Sequence, residues 1–358
     1  MVRLNEFGCH LVTSNYTLSE FFRYATLVDS LGFDHLKIGD HTLIPNPTAQ
    51  YPNASTLLGA LGVLTRSVRL STAVTDPFRR HPVEIAQSIA TLDRITNGRT
   101  ALGIGAGEAM NLAPFGIEYK KPLQRLKEAV EVIKLLWVAT PENPVNYNGE
   151  IFSLKNAYLQ IRPIQSPHPP VYIGAAGPKT RELAGAIAEG WAPVAVESPS
   201  TLAKHMLDIE RGARMNNRSL ENFDVAVTVY TDISLDEDEA YKRVAPTVKS
   251  MLIQQREVLK ELAGISVPQE LSLQYLDPTD PRTSEKIREI ADSIPRRVVE
   301  EVSVTGPPDE CISRLEKFLK AGATSIIICN LSIEQERVFK TYAEKIIPYL
   351  KNEYGVSK

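Results

Sequence analysis

Short apolar runs alternate with longer amphipathic stretches along almost the whole chain. Phe7 to Val12 is apolar except for His10 and predicts a buried strand. Leu18, Phe21, Phe22, Ala25 and Val28 then recur at helical spacing. Thr17-Leu-Ser-Glu20 ahead of them is a capping box, and Gly32 after Leu31 is a stop signal. His35 to Gly39 predicts a second strand, which ends in Asp40-His41. A proline-rich loop (Pro45, Pro47, Pro52) leads into a helix near Ser55 to Leu64. Val68 to Val74 predicts a third strand. Pro82 opens a helix carrying Ile85, Ile89 and Leu92, closed by Asn97-Gly98. Arg99 to Ile104 predicts a fourth strand that breaks into Gly105-Ala106-Gly107 and presents Glu108 and Asn111. Pro122 then begins a helix with Leu123, Leu126, Val130, Ile133 and Trp137 on one stripe.

The period changes between Pro144 and Arg162, where a hairpin turning at Asn148-Gly149 is predicted. Alternation resumes at Val171 to Ala175, followed by a helix from Pro178 to Ile187. Trp191 to Val196 and Asp224 to Ile233 predict two more strands around a helix from Thr201 to Arg214. Asp236-Glu-Asp-Glu239 suits a helix start, where acidic side chains meet the positive end of the dipole. From there to about Glu301 the chain reads as charged and helical, broken by Pro268, Pro278, Pro281 and Pro295. A helix from Pro308 to Leu319, a stop at Gly322, a strand from Ser325 to Cys329 and a closing helix from Glu334 to Leu350 complete it.

Strand starts near 7, 35, 68, 99, 171, 190, 224 and 325, nearly continuous in apolar residues, are the mark of parallel strands buried on both faces. Alternating with helices, they predict the α/β class and a (β/α)8 TIM barrel. The expectation is a single domain over residues 1–358, with insertions after strands four and seven at about 141–165 and 236–301. A doubly wound open sheet would call for GxGxxG after the first strand, which is absent.

Composition narrows the partners more than the fold. A net charge of −3 gives no global reason to expect nucleic acid or a membrane surface. Three cysteines, Cys9, Cys311 and Cys329, without any CxxC pair, point to a reducing compartment, and a cytoplasmic location is expected. No signal peptide or membrane span is read in the chain. Six histidines at 10, 35, 41, 81, 168 and 205 show neither HxH nor HExxH spacing, so no metal site is expected, and no GxSxG indicates a serine hydrolase.

A barrel of this kind works at the carboxyl ends of its strands. Strand two ends at Asp40-His41, strand three at Ala73-Val74-Thr75-Asp76, strand four at Gly107-Glu108, and strand five at Gly174 to Lys179. Glu108 and Asn111 supply a proton-handling carboxylate and a two-sided hydrogen bonder. His41 titrates near neutrality and suits a general base or donor. Three glycines at 103, 105 and 107 let the backbone approach a flat ligand. Gly174-Ala175-Ala176-Gly177-Pro178-Lys179 leaves amides free at a helix start, a cradle for phosphate that Lys179 and Arg181 would strengthen.

Together, Asp40-His41, Ala73-Val74-Thr75-Asp76-Pro77, Gly103 to Asn111 and Gly174 to Lys179 resemble the bacterial luciferase-like superfamily. More narrowly they resemble its branch that uses the deazaflavin coenzyme F420, which includes methylenetetrahydromethanopterin reductases, secondary alcohol dehydrogenases and glucose-6-phosphate dehydrogenases. The resemblance implies a hydride transfer between deazaflavin C5 and a small substrate carbon, in a homodimer. An FMN-dependent monooxygenase on the same barrel is the alternative. Asp40, Ala73, Val74, Thr75, Gly107 and Asn111 would contact the ring and its ribityl chain, with a cis Ala73–Val74 bond supporting the ring. Gly174, Ala175, Ala176, Gly177 and Lys179 would hold the phosphate. His41 and Glu108 would be the proton-handling pair, Glu108 serving the ring nitrogen. The sugar-phosphate dehydrogenases resemble this chain at Asp277-Pro-Thr-Asp280-Pro281. It departs from them at Leu43-Ile44-Pro45, where they carry an aromatic residue, and at Val194 to Ser198, where they carry a lysine. The methylene reductases typically carry Asp where this chain has Glu108.

Overall fold

The computed structural model describes residues 3–44, 46, 48–272, 275–277 and 280–355. Pro45 and Pro47 of the proline-rich loop, and Pro278 and Thr279 of the 277–281 stretch, lie outside the described residues.

The chain begins with β1 (Glu6–His10), α1 (Leu18–Ser30), β2 (His35–Ile38), α2 (Ala54–Leu64), β3 (Arg69–Thr72) and α3 (Pro82–Ile95). It continues through β4 (Thr100–Gly105), α4 (Pro122–Val138) and the antiparallel hairpin β5 (Val145–Asn148) and β6 (Ser153–Ala157). Then follow β7 (Val171–Ala175), α5 (Pro178–Ile187), β8 (Gly190–Pro193), α6 (Pro199–Met215) and β9 (Asp224–Ile233). Four helices come next: α7 (Glu237–Gln254), α8 (Arg256–Ala263), α9 (Pro281–Ser293) and α10 (Arg296–Glu301). The chain closes with β10 (Ser303–Gly306), α11 (Pro308–Lys320), β11 (Ser325–Asn330), α12 (Gln335–Thr341) and α13 (Ile347–Tyr354).

Parallel pairing runs β1-β2-β3-β4-β7-β8-β9-β11 and back to β1, which closes the barrel. Local sequence sets the helix ends. Thr17 and Glu20 cap α1 reciprocally, and Asp236 caps α7 by accepting from the Glu239 amide. Pro82, Pro122, Pro178 and Pro308 each occupy a first helical turn, where a missing N–H costs nothing. The closing helix is interrupted by a π-helical turn at Tyr342–Ile346, just ahead of Pro348, which cannot donate to the turn before it.

A ninth parallel strand, β10, is absent from the sequence pattern. It pairs with Tyr230 to Ile233 at the end of β9, on the side opposite β11. Its Ser-Val-Thr-Gly sequence holds one large apolar residue, yet all four residues are buried. The hydroxyl of Ser303 donates to the Val299 carbonyl, and that of Thr231 donates to the Val304 carbonyl. Those bonds remove the cost of burying polar groups. The hairpin also differs from the two-residue expectation: its turn is Gly149 to Phe152, closed by a 2.9 Å bond from the Gly149 amide to the Phe152 carbonyl. The buried Glu128 carboxylate of α4 accepts from the amides of Glu150, Ile151 and Phe152, which fixes the longer loop.

The floor of the barrel is polar. Glu6 bonds His35 Nδ1 at 2.9 Å and Arg69 Nε at 2.9 Å, His35 Nε2 bonds Ser71 at 2.7 Å, and Tyr172 donates to Asp224 at 3.0 Å. At the other end, Val248 and Leu252 of α7, Leu259 of α8 and Val299 of α10 share an apolar cluster with Met110, Val196, Tyr230 and Cys329. The helices between β9 and β10 therefore pack over the carboxyl ends of the strands. No described helix is long and apolar enough to cross a membrane.

Candidate active site

The tips of β2, β3, β4 and β7 meet at one rim, around Val74. The Ala73–Val74 peptide bond is cis. β3 and β4 pair at Ser71↔Ala101 and meet again at Thr75↔Ile104, so four residue steps on one strand face three on the other. The extra residue bulges into the lumen. A Cβ on Gly105 would stand 2.8 Å from Val74 Cγ2, and one on Gly174 would stand 2.9 Å from it. On Gly103 it would collide with the Thr72 carbonyl at 2.1 Å. Gly103, Gly105 and Gly174 thus clear room for Val74 and its strand, where the sequence suggested room for a ligand. Gly107 differs: its φ of +79° needs glycine, and its carbonyl accepts from Tyr119 at 3.1 Å.

Asp40 is buried beside the bulge. Its Oδ2 accepts from the Thr75 hydroxyl at 2.7 Å, from Arg79 Nη2 at 3.1 Å and from Arg80 Nη1. Burial alone would raise the carboxyl, but the Arg80 and Arg79 guanidiniums and the Thr75 hydroxyl outweigh it and hold it below the ordinary carboxylate range. Neither arginine is among the residues that sequence reasoning singled out. Asp76 turns the chain so that both reach back: it accepts from the amides of Phe78 and Arg79 at 2.9 Å and from Arg79 Nε at 2.6 Å. An aspartate followed at three and four residues by arginines was the available signal.

Beside this cluster, within reach of the Arg79 charge, stand His41, Glu108 and Asn111. His41 Nδ1 lies 3.2 Å from Glu108 Oε2, both side chains about a quarter exposed (25% and 23%). Asn111 Oδ1 accepts from the amides of Thr42 at 2.6 Å and Leu43 at 3.0 Å. That fixes the amide orientation and aims its nitrogen at His41 Nδ1 and Glu108 Oε2, 3.1 Å from each. Burial pushes the imidazole down, but the Glu108 carboxylate more than offsets it and raises His41. Burial likewise pushes Glu108 up, and His41 brings it below its usual value. Each group therefore favours the charged form of the other.

The fourth tip is the start of α5. No side chain caps this helix, and a Cβ on its N-cap Gly177 would enter open space. Pro178 contributes no N–H and Lys179 is exposed. Ala175 is buried and its carbonyl accepts from Trp191 Nε1 at 3.0 Å. Arg181 departs from its expected role. It is buried, and it donates to the Ala176 carbonyl, to Asp208 at 2.8 Å and to Glu257 at 3.1 Å, so its charge is already matched. Of the two cations expected to strengthen the cradle, Lys179 is the one that stays exposed.

The family model described as luciferase-like monooxygenase matches residues 1–325. An F420-dependent glucose-6-phosphate dehydrogenase of Microbacterium testaceum is 30% identical over 357 residues, 98% of either chain. A 5,10-methylenetetrahydromethanopterin reductase of Archaeoglobus fulgidus is 29% identical, covering 92% of this chain and 95% of its own. Among solved structures, an F420-dependent secondary alcohol dehydrogenase in complex with an F420-acetone adduct superposes with a TM-score of 0.83 at 25% identity, covering 97% of this chain and 99% of the other. The shared barrel and the length of the match place the chain in one group: it belongs to the luciferase-like monooxygenase family.

Proposed function

We propose that this protein is a coenzyme F420-dependent oxidoreductase acting on a small substrate carbon. F420-dependent relatives aligned over nearly the whole chain support the coenzyme. The observation that carries the reading is the convergence of four strand tips. An uncapped helix start bearing Lys179 and a glycine N-cap suits a phosphate. The lumen-facing bulge at Ala73-Val74-Thr75 beside Asp40 suits a planar ring, with Gly107 and Asn111 at its edge. When bound, the coenzyme supplies a two-electron hydride position at its deazaflavin C5.

The chain supplies proton management and position. In alcohol oxidation, the neutral His41 ring, its Nδ1 proton donated to Glu108, takes the hydroxyl proton at Nε2, and the Glu108 carboxylate 3.2 Å away stabilises the imidazolium that forms. Nδ1 cannot donate to Glu108 and accept from Asn111 at once. With a proton on Nδ1 the ring donates to Glu108, and with Nδ1 bare it accepts from the Asn111 amide. In the first case the Asn111 amide donates to Glu108 and holds the acceptor in place; in the second it holds the ring itself. The helices over the rim limit water at the reacting centre.

We also propose a homodimer in the cytoplasm. Near its end the helix α2 exposes Val63 (74%) and Leu64 (48%), as expected of a helix covered by a second copy. All three cysteines are buried and unpaired, which suits a reducing compartment. The test of the main reading is spectroscopic. The purified protein is titrated with F420 and with FMN, then screened for F420 reduction with secondary alcohols, sugar phosphates and reduced pterins. F420 binding with turnover of one class is expected; tight FMN uptake without F420 binding overturns it.

A further inference from the structure

Three polar side chains that the mechanism leaves unused meet beside His41. On β1, Glu6 and Gly8 face the lumen: Glu6 bonds His35, and a Cβ on Gly8 would stand 2.8 Å from His35 Cβ. His10, two residues further, faces it as well. A Cβ on Gly39 would stand 2.2 Å from the Tyr51 hydroxyl oxygen and 3.6 Å from His10 Nε2. The missing side chain at Gly39 is what lets Tyr51 reach the end of β2. The Tyr51 ring packs edge-on against His41, with centroids 5.1 Å apart. Thr13 adjoins the Tyr51 phenol.

Two of these groups have unmet hydrogen-bonding capacity. His10 Nε2 and Thr13 Oγ1 are shielded from solvent; His10 Nε2 finds no hydrogen-bond partner among the described residues, and Thr13 Oγ1 meets only the Tyr51 hydroxyl, without a well-formed bond. Thr13 is only 3% exposed. Buried polar atoms are almost always partnered, and an exception next to a reacting centre calls for a ligand that supplies the partner.

The geometry points to a second oxygen-binding subsite beside His41, in which His10 Nε2, Thr13 Oγ1 and the Tyr51 hydroxyl hold a neutral hydroxyl or carbonyl oxygen next to the reacting carbon. The inference rests on the oxidoreductase reading above and narrows its substrate to vicinal diols and α-hydroxy ketones. All three groups are uncharged at neutral pH: burial, with Lys37 and His41 nearby, pushes the His10 imidazole down to about 4, and burial raises the Tyr51 phenol. An anionic substituent would face the Glu108 and Asp40 carboxylates, which both act on Tyr51. A neutral oxygen meets donors and acceptors without that repulsion.

The experiment compares hydroxyacetone with acetone. F420 is first titrated into wild type, Tyr51→Phe and Thr13→Val by fluorescence; loss of binding in the wild type would break the oxidoreductase reading alone. Ketone affinities are then measured calorimetrically on the F420-loaded protein, or on the coenzyme-free protein if F420 does not bind. The His10 ring nitrogens are followed by NMR in both forms. The expected result is hydroxyacetone binding at least tenfold tighter than acetone, with a shift at His10 Nε2. Tyr51→Phe and Thr13→Val should each reduce that preference to below threefold, with F420 affinity within twofold of wild type. Equal affinities for the two ketones, no binding of either, or a preference that survives both substitutions would overturn the subsite.

Discussion

His41 Nδ1 stands 3.2 Å from Glu108 Oε2, and the Asn111 amide nitrogen stands 3.1 Å from each of them. The triangle couples two titrations. His41 is raised, so its contribution to stability is complete below the ordinary imidazole value and fades as pH rises through the folded value. Glu108 is lowered, so its contribution is complete above the ordinary carboxylate value and fades as pH falls through the folded one. The pair stabilises the fold in the window between. Replacing Glu108 by Gln removes the carboxylate that opposes burial, and the His41 imidazole should then titrate below its ordinary value. Turnover should fall by about 10²- to 10⁴-fold, the usual worth of a positioned proton carrier. Histidine NMR across pH checks the first outcome and steady-state F420 reduction the second. An unchanged His41 titration would remove the coupling.

Asp40 carries two guanidiniums and a hydroxyl on one carboxylate. Asp40→Asn leaves Arg79 and Arg80 facing a neutral amide in a largely buried site, and should cost about 3–5 kcal/mol of stability by urea denaturation. The sign with pH is fixed. Asp40 is lowered in the fold, so wild type loses this contribution as pH falls through the folded carboxyl value, and the variant has none to lose. The two stabilities should converge in acid. A constant gap at every pH would mean that packing, not charge, holds the cluster.

Much of this arrangement is legible in the sequence. The Thr17 and Glu20 box, the prolines at helix starts and the apolar strand runs all act over a few residues, and they mark the alternating order of a barrel. Knowing that order, the strand exits at Asp40-His41, Ala73-Val74-Thr75, Glu108 and Gly174 could be assigned to one rim. What escaped depends on distant partners. β10 has one large apolar side chain and is a strand only because the end of β9 offers it a free edge. Arg79 and Arg80 look like surface charges until Asp76 folds them onto Asp40. Gly103 and Gly105 advertised space for a ligand, whereas Val74, from the neighbouring strand, occupies that space.

The glycines separate into two kinds, and alanine should tell them apart. A methyl group on Gly103 would sit 2.1 Å from the Thr72 carbonyl oxygen, a backbone atom held in the barrel wall. Gly103→Ala should therefore lose about 1–3 kcal/mol, as overpacked cores do. At Gly177 the same methyl meets nothing within 4 Å, and φ is an ordinary −100°. Gly177→Ala should cost less than about 1 kcal/mol, the difference between these residues at an N-cap. Chemical denaturation of both variants decides it. Equal losses would mean that Gly103 can shift away from Thr72.

Lys179 tests the phosphate cradle apart from the chemistry. It is exposed at the start of a helix that no side chain caps, so truncation should leave stability within about 0.5 kcal/mol of wild type. If the free amides and this ammonium hold the coenzyme phosphate, Lys179→Ala should weaken F420 binding about tenfold, a loss of roughly 1.4 kcal/mol. Part of that loss should vanish at high ionic strength, because an exposed ion pair is screened by salt in the wild type as well. Fluorescence titrations of F420 at low and high salt measure both effects. Arg181 serves as the contrast: its guanidinium is committed to Asp208 and Glu257, so Arg181→Ala should lower stability far more than Lys179→Ala does. A wild-type F420 affinity in Lys179→Ala would leave the helix amides alone to hold the phosphate.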